Sequence, residues 1–157
     1  TGVPVGLGSY VHWDRKLDAL LGRAILSIQA QKGVEIGDGM AAAFERGSAV
    51  HDPITSSDAG FPRTQNRAGG IEGGMSNGMP IIVRGYMKPI PTLIKPLQTA
   101  DMISGETQPT RYERSDVTSV PAASTVAEAV VAMEVANALL EKFGGDSLSD
   151  IRAHLGK

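Results

Sequence analysis

From Pro121 to Phe143 the chain reads PAASTVAEAVVAMEVANALLEKF, with a proline at its start and Gly144-Gly145 directly after it. No other feature constrains the fold so tightly. Proline suits the first turn of a helix and glycine its end, so a helix over about 121–143 is expected. Val126, Val130, Met133, Ala136, Leu140 and Phe143 fall along one stripe, which is the expected buried face. A helix of that length needs a broad apolar surface to lie on. With 157 residues, 41% of them hydrophobic, a folded chain buries roughly 68–70% of its unfolded surface, enough for the core of a single domain. The longest apolar stretch, Ala127–Leu140, is interrupted by Glu128, Glu134 and Asn137, and reads as too short and too charged to span a bilayer.

The other elements must supply the surface under that helix. Leu17, Leu20, Leu21, Ala24, Ile25 and Ile28 recur at helical spacing after Asp14, a candidate N-cap. This predicts a helix over about 14–31, stopped by Gly33. Val34 and Ile36 alternate with polar neighbours, as in a strand that bends at Gly37 and Gly39. Residues 51–67 sit in a polar, turn-rich stretch and are expected to form an exposed loop. A strand is expected over Pro80–Met87, with strand pieces at 98–103 and 110–113. In SLSDIRAHL, Ser147 and Asp150 have the spacing of a capping box. Long amphipathic helices covering sheets make a mixed α and β fold.

Function classes narrow on charge and cysteine. The net charge is −2 with 15 basic and 17 acidic residues, which offers no electrostatic case for a nucleic-acid partner or an anionic membrane. There is no cysteine, hence no disulfide and no thiolate metal site, and a cytoplasmic setting is expected. His12, His51 and His154 show no metal-ligand spacing. Nineteen glycines, clustered at 37–39 and 68–78, match neither a dinucleotide-binding nor a P-loop pattern. They are either turn residues or positions where backbone closely approaches a flat anionic ligand. In MKPIPT, Pro89 and Pro91 each fix φ near −65°, so the turn is either a plain strand stop or a rigid platform for Lys88. Arg114 and Asp116, two residues apart, project from one face of an extended segment. They form either a surface ion pair at a helix entrance or an anion-binding fork beside a proton carrier.

The blocks RSDVTSVPAASTVAEAV, GVPVGLGSYVHWDRKLDALL, SIQAQKGVEIGDG, NRAGGIEGGMSNGMPIIVRGYMKPIPTLIKPL and LLEKFGGDSL together resemble the C-terminal part of the chorismate synthase family, in the family's order and across nearly the whole chain. Thr118-Ser119 departs from the Cys-Ala frequent there. The resemblance implies an α+β fold with helices sandwiched between antiparallel β-sheets, and a homotetramer in the intact enzyme. It implies a 1,4-anti elimination of phosphate from 5-enolpyruvylshikimate 3-phosphate, giving chorismate at the last step of the shikimate pathway. It implies reduced FMN as cofactor, the flavin being either reduced by the enzyme itself from NADPH or taken up already reduced. Carried over by motif, cofactor contacts fall on Gln29, Ala30, Gly73, Lys88, Pro89, Ile90, Pro91, Thr92 and Arg114, and the catalytic pair is Asp116 with Arg114. No metal is implied. The family's N-terminal histidines and substrate-clamping arginines have no counterpart here, so the resemblance implies a C-terminal fragment of one domain, inactive alone. The alternative is a catalytically silent flavin- or anion-binding or assembly module.

Overall fold

A computed structural model describes residues 1–56 and 61–156. The middle of the loop expected at 51–67 therefore lies outside the described residues. In chain order, a 3-10 turn at Trp13–Arg15 leads into α1 (Leu17–Ser27), followed by β1 (Gln31–Ile36), a 3-10 segment (Gly39–Phe44), the single turn α2 (Gly47–Val50), β2 (Ile71–Glu72), β3 (Met75–Ser76), β4 (Val83–Met87), β5 (Gln98–Ala100), β6 (Thr107–Pro109), α3 (Val120–Phe143) and α4 (Leu148–His154). The strands pair antiparallel, β1 with β4, β2 with β3 and β5 with β6. Helices with small antiparallel sheets make an α+β chain.

The first helix is shorter than its apolar spacing suggests. Asp14 sits inside the 3-10 turn, and the residue capping α1 is Lys16, with no side-chain bond. The helix stops at Ile28, not Gly33, because Ala30 turns to φ 66° and the chain enters β1 at Gln31. Strand β4 begins three residues later than expected, at Val83, and β6 lies at 107–109, not 110–113. The Ser147 hydroxyl caps α4 by accepting from the Asp150 amide at 3.2 Å, as the capping spacing predicts.

The core gathers Leu7, Leu17, Leu21, Ile71 and Ala138, all buried, with Val131, Val135, Leu139 and Phe143 of α3 packed around them. This corrects part of the expected buried stripe of α3, of which Phe143 does pack on the core. Ala123 and Ala138 are its buried residues, while Val126, Met133 and Leu140 are 48%, 66% and 47% exposed. The packed side is chosen by α1, which lies along it: Arg23 bonds Glu134 at 3.0 Å and Arg15 pairs with Glu141. Both faces of α3 are apolar, so spacing could not tell them apart. The helix is also long and apolar enough, by length and composition alone, to cross a bilayer, which corrects the shorter 127–140 estimate. A helix packed inside a protein passes the same test.

Glycines let the backbone segments close on one another. Gly8 (φ 96°) would place a side chain 2.5 Å from the Gly74 carbonyl, and Gly74 (φ 85°) would place one 2.6 Å from the Ser9 carbonyl. Only glycine adopts these conformations and leaves room for both chains.

Candidate functional site

The expected site residues fall on four segments. Gln29 and Ala30 form the link between α1 and β1, and Lys88–Thr92 follow β4. These two meet: the Lys88 amide donates to the Ala30 carbonyl at 2.8 Å, and Gln31 is registered opposite Met87. Ala30, with its positive φ, holds a conformation uncommon for a residue with a side chain, and such strain persists where surroundings enforce it. Gln29, Lys88, Pro89 and Pro91 are exposed, and Ile90 and Thr92 half-buried.

Gly73 lies elsewhere. It sits in the tight turn between β2 and β3, whose next residue, Gly74, accepts from the Leu17 amide at 2.8 Å at the start of α1. The Ala30–Lys88 junction is at the other end of that helix, about 16 Å along an 11-residue span. Gly73 (φ 60°) faces open space, whereas neighbouring Gly69, Gly70 and Gly74 would each press a side chain onto the chain's own backbone. Three of these four glycines are thus used for internal close approach, and Gly73 alone opens outward.

Arg114 and Asp116 lie on the exposed, irregular lead-in to α3. The structure does not pair them with each other or with another charged side chain among the described residues, which removes the surface ion pair as their explanation. Val120, four residues beyond Asp116, lines a cavity of about 360 Å³ between α3 and the β1–β4 pair, together with Gln31, Met87, Ala123 and Val131. Gln31 and Met87 adjoin Ala30 and Lys88, so one cavity wall connects two of the four segments. The Gln31 Oε1 atom is buried there without a hydrogen-bond partner.

Several polar groups that shape this region were not singled out from sequence. The Asp52 carboxylate accepts from the Arg67 and Ala68 amides at 2.8 and 2.9 Å. Asn66 accepts from the Gly70 amide and donates to the Pro80 carbonyl, both at 2.8 Å. Arg67 reaches Asp38 at 3.0 Å, and Arg84 donates to the Gly37 carbonyl. Together they fix the glycine turn that precedes β2. An Asp before Pro53 and an Asn three residues before a glycine pair were the available signals. On the β1–β4 pair, the Tyr86 hydroxyl donates to Glu35 at 2.5 Å. That bond, and after it one from the Met40 amide, holds the Glu35 carboxyl below its ordinary value; the Glu35 bond raises the Tyr86 hydroxyl above its own. Among the described residues no three His, Cys, Asp or Glu side chains gather as a metal site. His154 instead meets the Phe143 carbonyl at 2.6 Å, at the end of α3.

A chorismate synthase family model matches residues 1–140. A chorismate synthase of Salinibacter ruber is 65% identical over 158 residues, covering 99% of this chain and 39% of its own length. One from Brevibacillus brevis is 60% identical over 155 residues, covering 98% and 40%. A solved structure titled as the crystal structure of chorismate synthase superposes with a TM-score of 0.81 at 45% identity, across 99% of this chain and 39% of that one. The chain thus spans about two fifths of the length of these relatives.

Proposed function

Since the chain belongs to the chorismate synthase family, we propose that it supplies the flavin-facing part of an enzyme that eliminates phosphate from 5-enolpyruvylshikimate 3-phosphate to give chorismate. The observation that carries this reading is the Lys88 amide bond to Ala30. It joins two cofactor-candidate segments beside a cavity whose third wall begins just past Asp116.

The residues present fit FMN. Lys88 and Arg114 are exposed cations, suited to the phosphate and the electron-rich ring edges, and a guanidinium makes the better fork. The turn from Pro89 to Thr92 has its φ angles fixed in advance by two prolines, so it presents backbone groups with little entropy left to lose. Gly73 leaves its backbone open to a flat ligand. When bound, reduced FMN supplies transient electron density to a substrate ring that is losing phosphate. Arg114 stabilises developing negative charge, and Asp116, two positions on, holds or moves a proton at the rim. In the intact enzyme the helices are sandwiched between antiparallel sheets, four copies assemble in the cytoplasm, and the substrate clamp comes from the length this chain does not span. Alone, the 157 residues turn over no substrate and hold FMN weakly; a catalytically silent flavin- or anion-binding or assembly module is the alternative reading.

The test is chorismate formation in the presence of reduced FMN, beside a flavin fluorescence titration. The chain alone should make no chorismate. In a chain of full family length, Asp116→Asn should lower turnover by about 10²-fold or more, the scale of a lost proton-transfer group, and leave FMN affinity nearly unchanged. Chorismate from the chain alone, or loss of FMN binding on Asp116→Asn, would overturn the reading.

A further inference from the structure

Asn77 is followed by Gly78, and the fold holds both residues in place. Gly78 has φ 88°, and a side chain there would start 3.0 Å from the Val5 Cγ2 atom, so the position calls for glycine. The Asn77 side chain is held at both ends. Its Oδ1 accepts from the Met79 amide at 3.0 Å, and its Nδ2 donates to Glu72 at 2.8 Å. The first of these bonds is an Asx turn, which folds the side-chain carbonyl back over the next peptide unit. Asn77 is half-buried and Gly78 is exposed. Among the described residues nothing accepts from the Gly78 amide, and Gly78 has no Cβ to shield it. The Asn77 main-chain carbonyl, in the same peptide unit as that amide, accepts from Arg63 at 3.4 Å. Arg63 is also paired with Glu72 at 2.5 Å.

We propose that Asn77 is a site of self-modification, where the Gly78 nitrogen attacks the Asn77 side-chain amide and closes a succinimide. The Gly78 amide becomes a nucleophile when it gives its proton to hydroxide. The Arg63 guanidinium on the adjoining carbonyl favours that loss, because a nearby positive charge stabilises the anionic form. The new bond joins the Gly78 nitrogen to Cγ of Asn77. Negative charge develops on Oδ1, where the Met79 amide already donates. The bond from Cγ to Nδ2 then breaks, and Nδ2 takes a proton from water and leaves as ammonia. Glu72, already bonded to Nδ2, stabilises the positive charge that forms as this amine is protonated. Nothing is oxidised or reduced. Water reopens the ring at either carbonyl and leaves aspartate or isoaspartate. Aspartate sets a second carboxylate against Glu72 in place of an N–H donor. Isoaspartate adds a methylene to the main chain beside the 2.9 Å bond from the Asn77 amide to the Gly70 carbonyl. Either product disturbs the β2–β3 hairpin, whose turn carries Gly73. The other two asparagines lack this arrangement, since Asn66 precedes Arg67 and Asn137 lies inside α3 before Ala138. Asp38 does precede a glycine, but it offers a carboxylate, a poorer electrophile than an amide, and it is bonded to Arg67.

The experiment is peptide mapping by mass spectrometry of the native 157-residue chain, sampled over days in mildly alkaline buffer. The peptide holding Asn77 should become one mass unit heavier, through an intermediate lighter by one ammonia, and the rate should rise in proportion to hydroxide. Asn77 should react about tenfold or more faster than Asn66 and Asn137, because it alone has its nucleophile unobstructed and aligned. Glu72→Gln changes an exposed residue and keeps the native circular dichroism. It should slow the native reaction about threefold, the scale of an exposed charge contact, and leave the rate in urea unchanged. Those rates together support the proposal. An Asn77 that reacts in urea but not in the native chain overturns it, since the fold would then protect the residue. So does a native rate no faster than that of Asn66, or a folded Glu72→Gln chain that reacts as fast as the parent.

Discussion

Removing the Ser76 hydroxyl tests whether the N-terminal segment is held by a buried polar stitch or by apolar contact alone. Ser76 is 3% exposed. Its Oγ accepts from the Leu7 amide at 2.9 Å and donates to the Pro4 carbonyl at 2.6 Å. Its backbone completes the stitch, donating to the Leu7 carbonyl at 3.0 Å and accepting from the Gly6 amide at 2.7 Å. In Ser76→Ala the half-buried Pro4 carbonyl can find water, but the amide of fully buried Leu7 cannot. One buried donor left unpaired costs about 1–3 kcal/mol. With m near 1–3 kcal/mol/M for a small protein in urea, the midpoint should fall by roughly 1 M. The control is Ser124→Ala, whose exposed hydroxyl bonds the Pro121 carbonyl at 2.7 Å within α3. There alanine's higher helix propensity offsets the lost bond to within about 0.5 kcal/mol. The assay is urea unfolding followed by far-ultraviolet circular dichroism. Coincident midpoints for the two variants would refute the argument, because the buried and the exposed hydroxyl would then be equivalent.

Leu21→Ala, at a fully buried position, should cost about 2.7–5 kcal/mol in the same assay, whereas Leu26→Ala on the exposed side of α1 should stay within about 0.5 kcal/mol. Gly74→Ala, pressed against the Ser9 carbonyl and Lys16, should destabilise well beyond Gly105→Ala. The latter also has positive φ but faces open space, and should cost only the roughly 1–2 kcal/mol of a left-handed residue; equal costs would exclude the close approach as the cause. Glu35 and Tyr86 give opposite pH signs. The Glu35 value is depressed on folding, so its contribution is present above the unfolded carboxylate value and fades as pH falls through the folded one. The Tyr86 value is raised, so its contribution is present below the unfolded tyrosine value and is lost as pH rises through the folded one. Tyr86→Phe should therefore move the Glu35 titration, followed by NMR, to higher pH, and an unmoved midpoint refutes the pairing.

What could be read in advance depended on whether the signal was local. The bounds of α3 follow from Pro121 and Gly144, residues that act on their own backbone, and they held to one residue. The cap of α4 is equally local. The stop of α1 was misplaced because the determining event is Ala30 entering positive φ under the constraint of the Lys88 bond, 58 residues away. The meeting of Ala30 with Lys88 is itself a long-range pairing, set by the β1–β4 register, with a bulge between Gln31 and Gly33 that alternation cannot show. Asp52 and Asn66 passed as loop polarity because their partners are backbone amides, to which composition is blind.

The misread face of α3 follows from the same distinction in a sharper form. A hydrophobic stripe predicts burial only when the opposite face is polar. Here the turn-by-turn apolar content is similar all round, and the packed side is marked instead by where the charges find partners. Glu134, Glu141 and Lys142 each meet a group on α1 or the N-terminal segment. Those three bonds orient the helix by excluding rotations that would leave them unpaired, while the apolar contacts supply energy without selecting a rotation. Replacing Glu134 and Glu141 together with alanine should therefore leave α3 helical but loosen its rotational choice. Methyl NMR signals of Val126 and Leu140 would broaden or double as the second face competes for the core. Sharp, single methyl signals in that variant would mean that shape alone, through Ala123 and Ala138 seated in the core, selects the face.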